Sequence, residues 1–207
     1  MIGEAPGLTA GGPGTPIGDR AWFDRPAEAV AADLLGCELV HDAQEGSVTG
    51  RIVEVEAYQG PEDLAAHSSR GRTARNEVMF GPPGHLYVYF VYGLHHCANI
   101  VCGPGEKPEA VLLRAAAITD GHDVARRRRG PVPDQRLAAG PGNLAAAFGI
   151  DRRLNGADLL DGPVRVCRAV APAARERSAR IGVDYAGDWA AAPLRFVVPG
   201  DPHRSRR

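Results

Sequence analysis

The stretch His85-Leu86-Tyr87-Val88-Tyr89-Phe90-Val91-Tyr92 is built almost wholly from aromatic and branched side chains, with no turn residue inside it, and reads as a β-strand. Gly93-Leu94 sits at a turn, and His96 to Cys102 reads as the return strand, broken by Gly103-Pro104-Gly105. A chain that holds this hairpin must cover at least one apolar face of it. Alternation along the strand puts Tyr87 and Tyr89 on one face with His85, and Phe90 and Tyr92 on the other with Leu86 and Val88. Phe90 and Val88 are expected in a core.

The remaining pattern supplies further hairpins rather than a βαβ series. Cys37 to His41 and Val48 to Ala57 alternate as strands joined by a turn near Glu45-Gly46-Ser47. Ala110 to Ala117 reads as a strand of the buried type, and further strands are expected at 164–170, 181–186 and 194–198. A helix opens near Phe23-Asp24-Arg25-Pro26, with Asp24 as its cap, Val30, Leu34 and Leu35 as its apolar stripe and Gly36 as its stop. A second helix is expected at 144–149, after Gly140-Pro141-Gly142-Asn143. Residues 59–84 read as loop with short helical pieces. The sum is an α+β fold with a largely antiparallel sheet and flanking helices.

At 207 residues the chain fits one domain. Residues 1–20 hold six glycines and three prolines and read as a disordered arm, residues 21–200 as the single domain, and residues 201–207 as a basic, unstructured tail. No apolar run approaches the ~20 residues of a membrane helix. No basic-then-apolar leader opens the sequence, so a cytoplasmic or nuclear location is expected. Four cysteines are too few for a disulfide scaffold.

Charge is distributed unevenly. Residues 1–119 carry 8 positive and 15 negative side chains, whereas residues 120–180 carry 12 and 7. That asymmetry permits a polyanionic partner. Arginine supplies 23 of the 24 positive charges, and Lys107 is the only lysine.

Several clusters are candidates for chemistry. In Arg51-Ile52-Val53-Glu54-Val55-Glu56-Ala57-Tyr58, alternation places Glu54 and Glu56 together on the face opposite Val53 and Val55. They are either solvated carboxylates of a half-exposed strand or a general base poised where the strand enters a Gly-rich loop. Three of the five tyrosines lie within residues 87–92. Tyr92, beside Gly93 at the hairpin tip, has the placement of a side chain that inserts into nucleic acid. His95-His96-Cys97 and Cys102 make a poor metal set, because neighbours on a strand face opposite ways and Cys97-x4-Cys102 has no second pair. No metal and no cofactor are expected. Gly140-Pro141-Gly142-Asn143 is either a plain helix cap or an anion-binding turn, and Arg126–Arg129 is either a solvated loop or a phosphate contact.

Taken in order, these segments resemble the 3-methyladenine (alkyladenine, N-methylpurine) DNA glycosylases. The resemblance runs from about Trp22 to Pro199. It is carried by Arg51–Tyr58 with Gly60-Pro61-Glu62-Asp63 and Ala65-Ala66-His67-Ser68, by Leu86–Gly93 with Cys97-x-Asn99-Ile100, and by Val111–Ala115. Gly140–Leu144, Arg180–Val183, Gly187-x-Trp189 and Pro193–Phe196 complete it.

The resemblance implies a monomeric domain with a curved sheet and a protruding hairpin that contacts double-stranded DNA containing damaged purines. Such enzymes swing an alkylated or deaminated purine out of the duplex and hydrolyse its glycosidic bond. By this likeness Glu56 is the general base, with Arg114 and the carbonyl of Ile181 holding its water. An arginine beside Glu56 also favours the ionised carboxylate. Tyr58, His67 and Tyr89 are the walls around the flipped base, Asn99 is a pocket-floor residue that disfavours the amine of guanine, and Tyr92 is the wedge. His95 stands where the likeness leads one to expect another aromatic, and the loop 120–136 does not align with the family.

Lysine usage adds an independent point. Glycosylases that also cut the strand commonly use an amine to form a Schiff base. Lys107 lies in the turn Gly105-Glu106-Lys107-Pro108, away from the other candidates, so hydrolysis without strand cleavage is expected. The competing readings are a catalytically silent lesion- or nucleic-acid-binding module of the same fold, and an RNA-binding protein that reuses an aromatic hairpin. Glu56 and Arg114 together disfavour the first, and the Glu56–Tyr58–His67 spacing disfavours the second.

Overall fold

The computed structural model describes residues 14–205. Among these residues eight antiparallel strands form one open sheet, which is not strongly curled. The strands are β1 (Glu38–Ala43), β2 (Gly46–Tyr58), β3 (Leu86–Val91), β4 (His95–Cys102), β5 (Glu109–Asp120), β6 (Val164–Cys167), β7 (Glu176–Ser178) and β8 (Arg195–Val197). The main path runs β3-β4-β5-β2-β1-β6, and β8 joins β2 to β7. Strand β2 is 13 residues long, which lets it pair with β5, β1 and β8.

The four α-helices among the described residues are α1 (Ala27–Leu34), α2 (His122–Arg129), α3 (Asp134–Leu137) and α4 (Pro141–Phe148). Helix α1 buries Val30 and Leu34, and α4 buries Leu144 and Phe148, in one core with Ile52, Val55, Val88, Ile100 and Leu113 of the sheet. That core takes one face of the sheet. The opposite face is left for a row of residues in cross-strand register: Tyr87 opposite Asn99, Asn99 opposite Leu112, and Leu112 opposite Glu56. Directly paired residues share a face, so the sheet itself sets tyrosine, asparagine and glutamate in one line.

Register breaks in the β2–β5 pair matter for that face. Ile52 pairs with Ala116, Glu54 with Ala115 and Val55 with Leu113. Val53 and then Arg114 are therefore extra residues with no partner opposite them. A bulge of this kind bends the strand and re-aims the extra side chain.

Several expectations are corrected. Asp24 does not cap α1; its carboxylate accepts from the Gly105 N–H at 3.2 Å, and Pro26 occupies the cap position. The orphan N–H of Ala27 donates instead to Glu109 Oε2 at 2.6 Å, a partner 82 residues away. The arm is packed from residue 14 onward: Ile17 is buried and its N–H donates to Val166 O at 2.9 Å. The rest of the expected arm, residues 1–13, lies outside the described residues. Segment 120–136 is not one loop: it carries helix α2 and the start of α3, separated by a short non-helical stretch at 130–133. Residues 181–186 are not a strand, because Gly182 turns the chain at φ 77° and a 3-10 segment follows at Asp184–Ala190. Strand β7 has no counterpart in the sequence reading. Phe90 is 45% exposed, not core. The tail is also structured as far as Ser205, with residues 206 and 207 outside the described range.

Candidate active site

Glu56 is fully buried near the end of β2, and three groups converge on it. The Ile181 N–H donates to Oε1 at 2.8 Å, Arg114 Nη1 lies 3.2 Å from the same oxygen, and the Tyr58 hydroxyl donates to Oε2 at 3.0 Å. Tyr58, Arg114 and Ile181 also line a pocket of about 250 Å³, so the carboxylate sits directly behind the pocket wall. Glu56 is thus not a solvated carboxylate of a half-exposed strand.

The bulge at Arg114 puts its guanidinium between two acids. Nε donates to Glu54 Oε1 at 2.9 Å while Nη1 reaches Glu56. Burial disfavours the arginine's charge, but Glu56 and Glu54 outweigh that and hold its pKa above the ordinary value.

Ile181 is held in place through its neighbour. Arg180 forms a fully buried ion pair with Asp63, Nη1 to Oδ2 at 2.5 Å and Nη2 to Oδ1 at 2.8 Å, and donates to the Ala57 and Trp189 carbonyls. Its guanidinium carbon lies 4.6 Å from the Tyr58 ring centroid. Arg180 Nε is buried without a partner. One ion pair thus fixes both the Ile181 turn and the Tyr58 ring. Ile181 meets Glu56 through its N–H, a contact beyond the role of its carbonyl toward the attacking water that the resemblance implied.

Aromatic rings form the rest of the pocket. His67 Nδ1 and the Tyr87 hydroxyl are hydrogen-bonded at 2.9 Å, and the His67 and Tyr89 ring centroids are 4.6 Å apart, edge to face. Burial, aided by the Arg75 charge, pushes the His67 pKa down from 6.5 to about 4, so the imidazole is neutral at pH 7. Burial likewise raises the Tyr58 and Tyr89 phenols above their ordinary values, which keeps both rings neutral. Asn99 is buried and donates from Nδ2 to the Tyr87 carbonyl at 3.0 Å, which fixes the way its amide points.

Tyr92 stands at the rim on the β3–β4 turn, 88% exposed. It is the one non-glycine residue among those described with a left-handed backbone, at φ 54°. Such a conformation costs a bulky side chain of order 1–3 kcal/mol. Exposure and backbone strain at a large aromatic are both unfavourable to the isolated fold.

The eight residues that the resemblance assigned to the site, Glu56, Tyr58, His67, Tyr89, Tyr92, Asn99, Arg114 and Ile181, each line this pocket or bond directly to a residue that does. A model of the methylpurine-DNA glycosylase (MPG) family matches residues 21–202. The chain belongs to this family. It is 47% identical over 194 residues to a protein of Streptomyces avermitilis, covering 91% of this chain and 90% of that one. It is also 47% identical over 192 residues to one of Methanoculleus marisnigri, covering 90% and 97%, and 41% identical over 191 residues to one of Carboxydothermus hydrogenoformans, covering 91% and 98%. All three carry the name "Putative 3-methyladenine DNA glycosylase".

The sequence reading missed other parts of this glycosylase pocket. Arg75, on a loop, puts its guanidinium carbon 5.3 Å from the Tyr89 ring centroid. Tyr185 lines the mouth, 67% exposed. Tyr87 was placed on the right face but given no role. Asp63 and Arg180 lie inside the matching blocks but carried no signal of their own, since their work depends on long-range pairing, and Glu54 was placed beside Glu56 without a role in the site. Among the described residues no group of three or more metal-ligating side chains occurs.

The arginine run bonds to the protein's own groups, with Arg126 and Arg127 exposed and Arg128 and Arg129 half-buried. Arg128 donates to the Ala147 carbonyl and to Glu45, Arg129 to the Leu137 carbonyl, Arg127 to the Glu45 carbonyl, and Arg126 pairs with Asp134. These contacts fasten α2 to α4, α3 and the β1–β2 turn, and they correct the reading of a loop. Lys107 is absent from the pocket lining and is engaged by Glu109 at 3.0 Å and Glu62 at 3.5 Å.

Proposed function

We propose that this DNA glycosylase, which excises alkylated purines, receives the flipped nucleotide in the aromatic pocket and uses Glu56 to drive water onto the anomeric carbon. The observation that carries this reading is the convergence of Arg114, Ile181 and Tyr58 on one buried carboxylate at the pocket wall.

Each carboxylate oxygen offers about two acceptor positions. Oε1 has both filled, by Ile181 and Arg114, whereas Oε2 has one, filled by Tyr58. Oε2 is therefore the oxygen that takes the water's proton. The transition state has oxocarbenium character, and the carboxylate opposes its charge as well. The reaction ends with a free base and an abasic site.

Selectivity follows from the walls. An alkylated purine is electron-poor or cationic, and it stacks well on neutral, electron-rich rings. Tyr58 and Tyr89 supply such rings, and the neutral His67 does not repel a cationic base. Asn99, with its amide pinned to the sheet, disfavours the extra amine of guanine. The β3–β4 turn meets the duplex, with Tyr92 filling the gap left by the departed base. DNA then recovers part of the cost of exposing and straining that residue.

The enzyme is monofunctional. A Schiff base needs a neutral amine, and the hydrogen bond to Glu109 holds the Lys107 ammonium in its charged form.

Incubation with a duplex holding one 3-methyladenine or hypoxanthine, followed by alkali, tests the reading. Base release and alkali-dependent cleavage are expected. Binding without release is the result of a lesion sensor and would overturn it.

A further inference from the structure

We infer that Ser205, in the C-terminal segment, is a positioning residue for catalysis, acting on Arg114 through Glu54. This inference rests on the reading of Glu56 as the general base.

Glu54 and Glu56 lie two residues apart on one strand, both fully buried, with Arg114 between them. Arg195 pairs with Glu54 alone, whereas Arg114 is shared by both carboxylates, so Glu56 would be left a buried charge without its cation if Arg114 turned wholly to Glu54, which is costly in a low-dielectric region. If Glu54 lacked other donors, it would draw Arg114 away from Glu56, and the two acids would repel each other.

The structure supplies those donors from the tail. The Ser205 N–H donates to Glu54 Oε2 at 2.7 Å, and the Ser205 hydroxyl donates to Glu54 Oε1 at 2.7 Å. Arg114 Nη2 in turn donates to the Ser205 hydroxyl at 3.3 Å. Arg195 Nη1, from β8, adds a contact to Glu54 Oε1 at 3.3 Å. Glu54 is thus engaged from three elements, and the fork of Arg114 is fixed at Nε by Glu54 and at Nη2 by Ser205. With two corners fixed, Nη1 is aimed at Glu56. The groups facing the pair of acids are Arg114 from β5, Arg195 from β8, Ser205 from the tail, Tyr58 from β2, the Ile181 N–H and, near Glu56 and Arg114, the Cys97 thiol from β4.

Ser205 is not itself part of the pocket lining and does not bond to Glu56; it meets the lining through Arg114. Its effect is therefore on the rate of base release and not on lesion binding.

Single-turnover release and duplex affinity, measured across pH for wild type, Ser205→Ala, Ser205→Thr, Ser205→Pro and Glu56→Gln, test the inference. Ser205→Ala is expected to slow release about tenfold, the scale of one hydrogen bond to a charged group, with affinity unchanged. The acidic limb of its pH–rate profile moves to higher pH, because Glu54 competes harder for Arg114. Ser205→Thr keeps the hydroxyl and restores most of the rate. Ser205→Pro removes the N–H as well and is expected to be slower than Ser205→Ala. Wild-type rates and an unmoved acidic limb in both Ala and Pro variants overturn the inference, provided Glu56→Gln is inactive. Full activity of Glu56→Gln overturns the underlying reading instead.

Discussion

Arg114 reaches Glu56 from a β-bulge: it is the one residue between Ala115 and Leu113 with no partner across the β2–β5 ladder, and its Nη1 lies 3.2 Å from Glu56 Oε1. A regular ladder would place a residue of β2 opposite it. The irregularity therefore belongs to the chemistry, since it brings the guanidinium to the carboxylate.

Replacing Glu56 by Gln keeps the shape and removes the base. Release from a lesion duplex is expected to fall at least ~10²-fold, while binding is retained because the pocket walls are untouched. Single-turnover assays beside a gel-shift titration check both halves. A variant that releases base at the wild-type rate would move the base to another group.

Tyr92→Ser separates a wedge from a core residue. The side chain is 88% exposed, so its removal is expected to change stability by less than ~0.5 kcal/mol, as at ordinary surface sites. Affinity for a lesion duplex should drop clearly. Thermal unfolding and a binding titration decide it; a large fall in melting temperature would make Tyr92 structural.

The two kinds of site residue differ in how visible they were beforehand. Glu56, Tyr87 and Tyr89 could be placed on their strand faces because alternation is a local rule, and the β3–β4 hairpin was legible from the turn at Gly93-Leu94, whereas Asn99 came only from the resemblance. Residues 181–186 misled, because Ile-Gly-Val-Asp-Tyr alternates like a strand while Gly182 in fact turns the chain. Helix α2 was missed because four consecutive arginines resemble a solvated loop. They sit instead in its last turn, where cations suit the helix dipole and internal carbonyls accept from them. Ser205 and the Arg180–Asp63 pair had no local signal at all, since their partners lie 151 and 117 residues away.

The inward bonding of Arg128 bears on DNA binding. Arg128 is mostly buried and bonded to the Ala147 carbonyl and Glu45. Arg128→Ala is expected to lower stability by roughly 1–3 kcal/mol through the unpaired carbonyl and lost packing. The salt dependence of duplex affinity should not change, because a residue that contacts phosphate contributes about one unit to that slope and this one is turned inward. Affinity measured at several salt concentrations checks the point, and a slope reduced by about one would return Arg128 to the DNA interface.

His67 ties stability to pH with a definite sign. Its pKa in the folded protein is about 4, against 6.5 for an ordinary histidine, because burial and the Arg75 charge disfavour the imidazolium. Between those values the unfolded chain takes up a proton that the folded protein refuses, so acid favours unfolding across that window. Stability from this group is fully present above pH 6.5 and is lost as pH falls toward 4, with a slope of at most about 1.4 kcal/mol per pH unit. His67→Gln removes the titration while leaving every carboxylate in place. Its melting temperature should fall less steeply than that of wild type between pH 7 and pH 4.5, and parallel curves for the two proteins would show that the folded pocket protonates His67 as readily as water does.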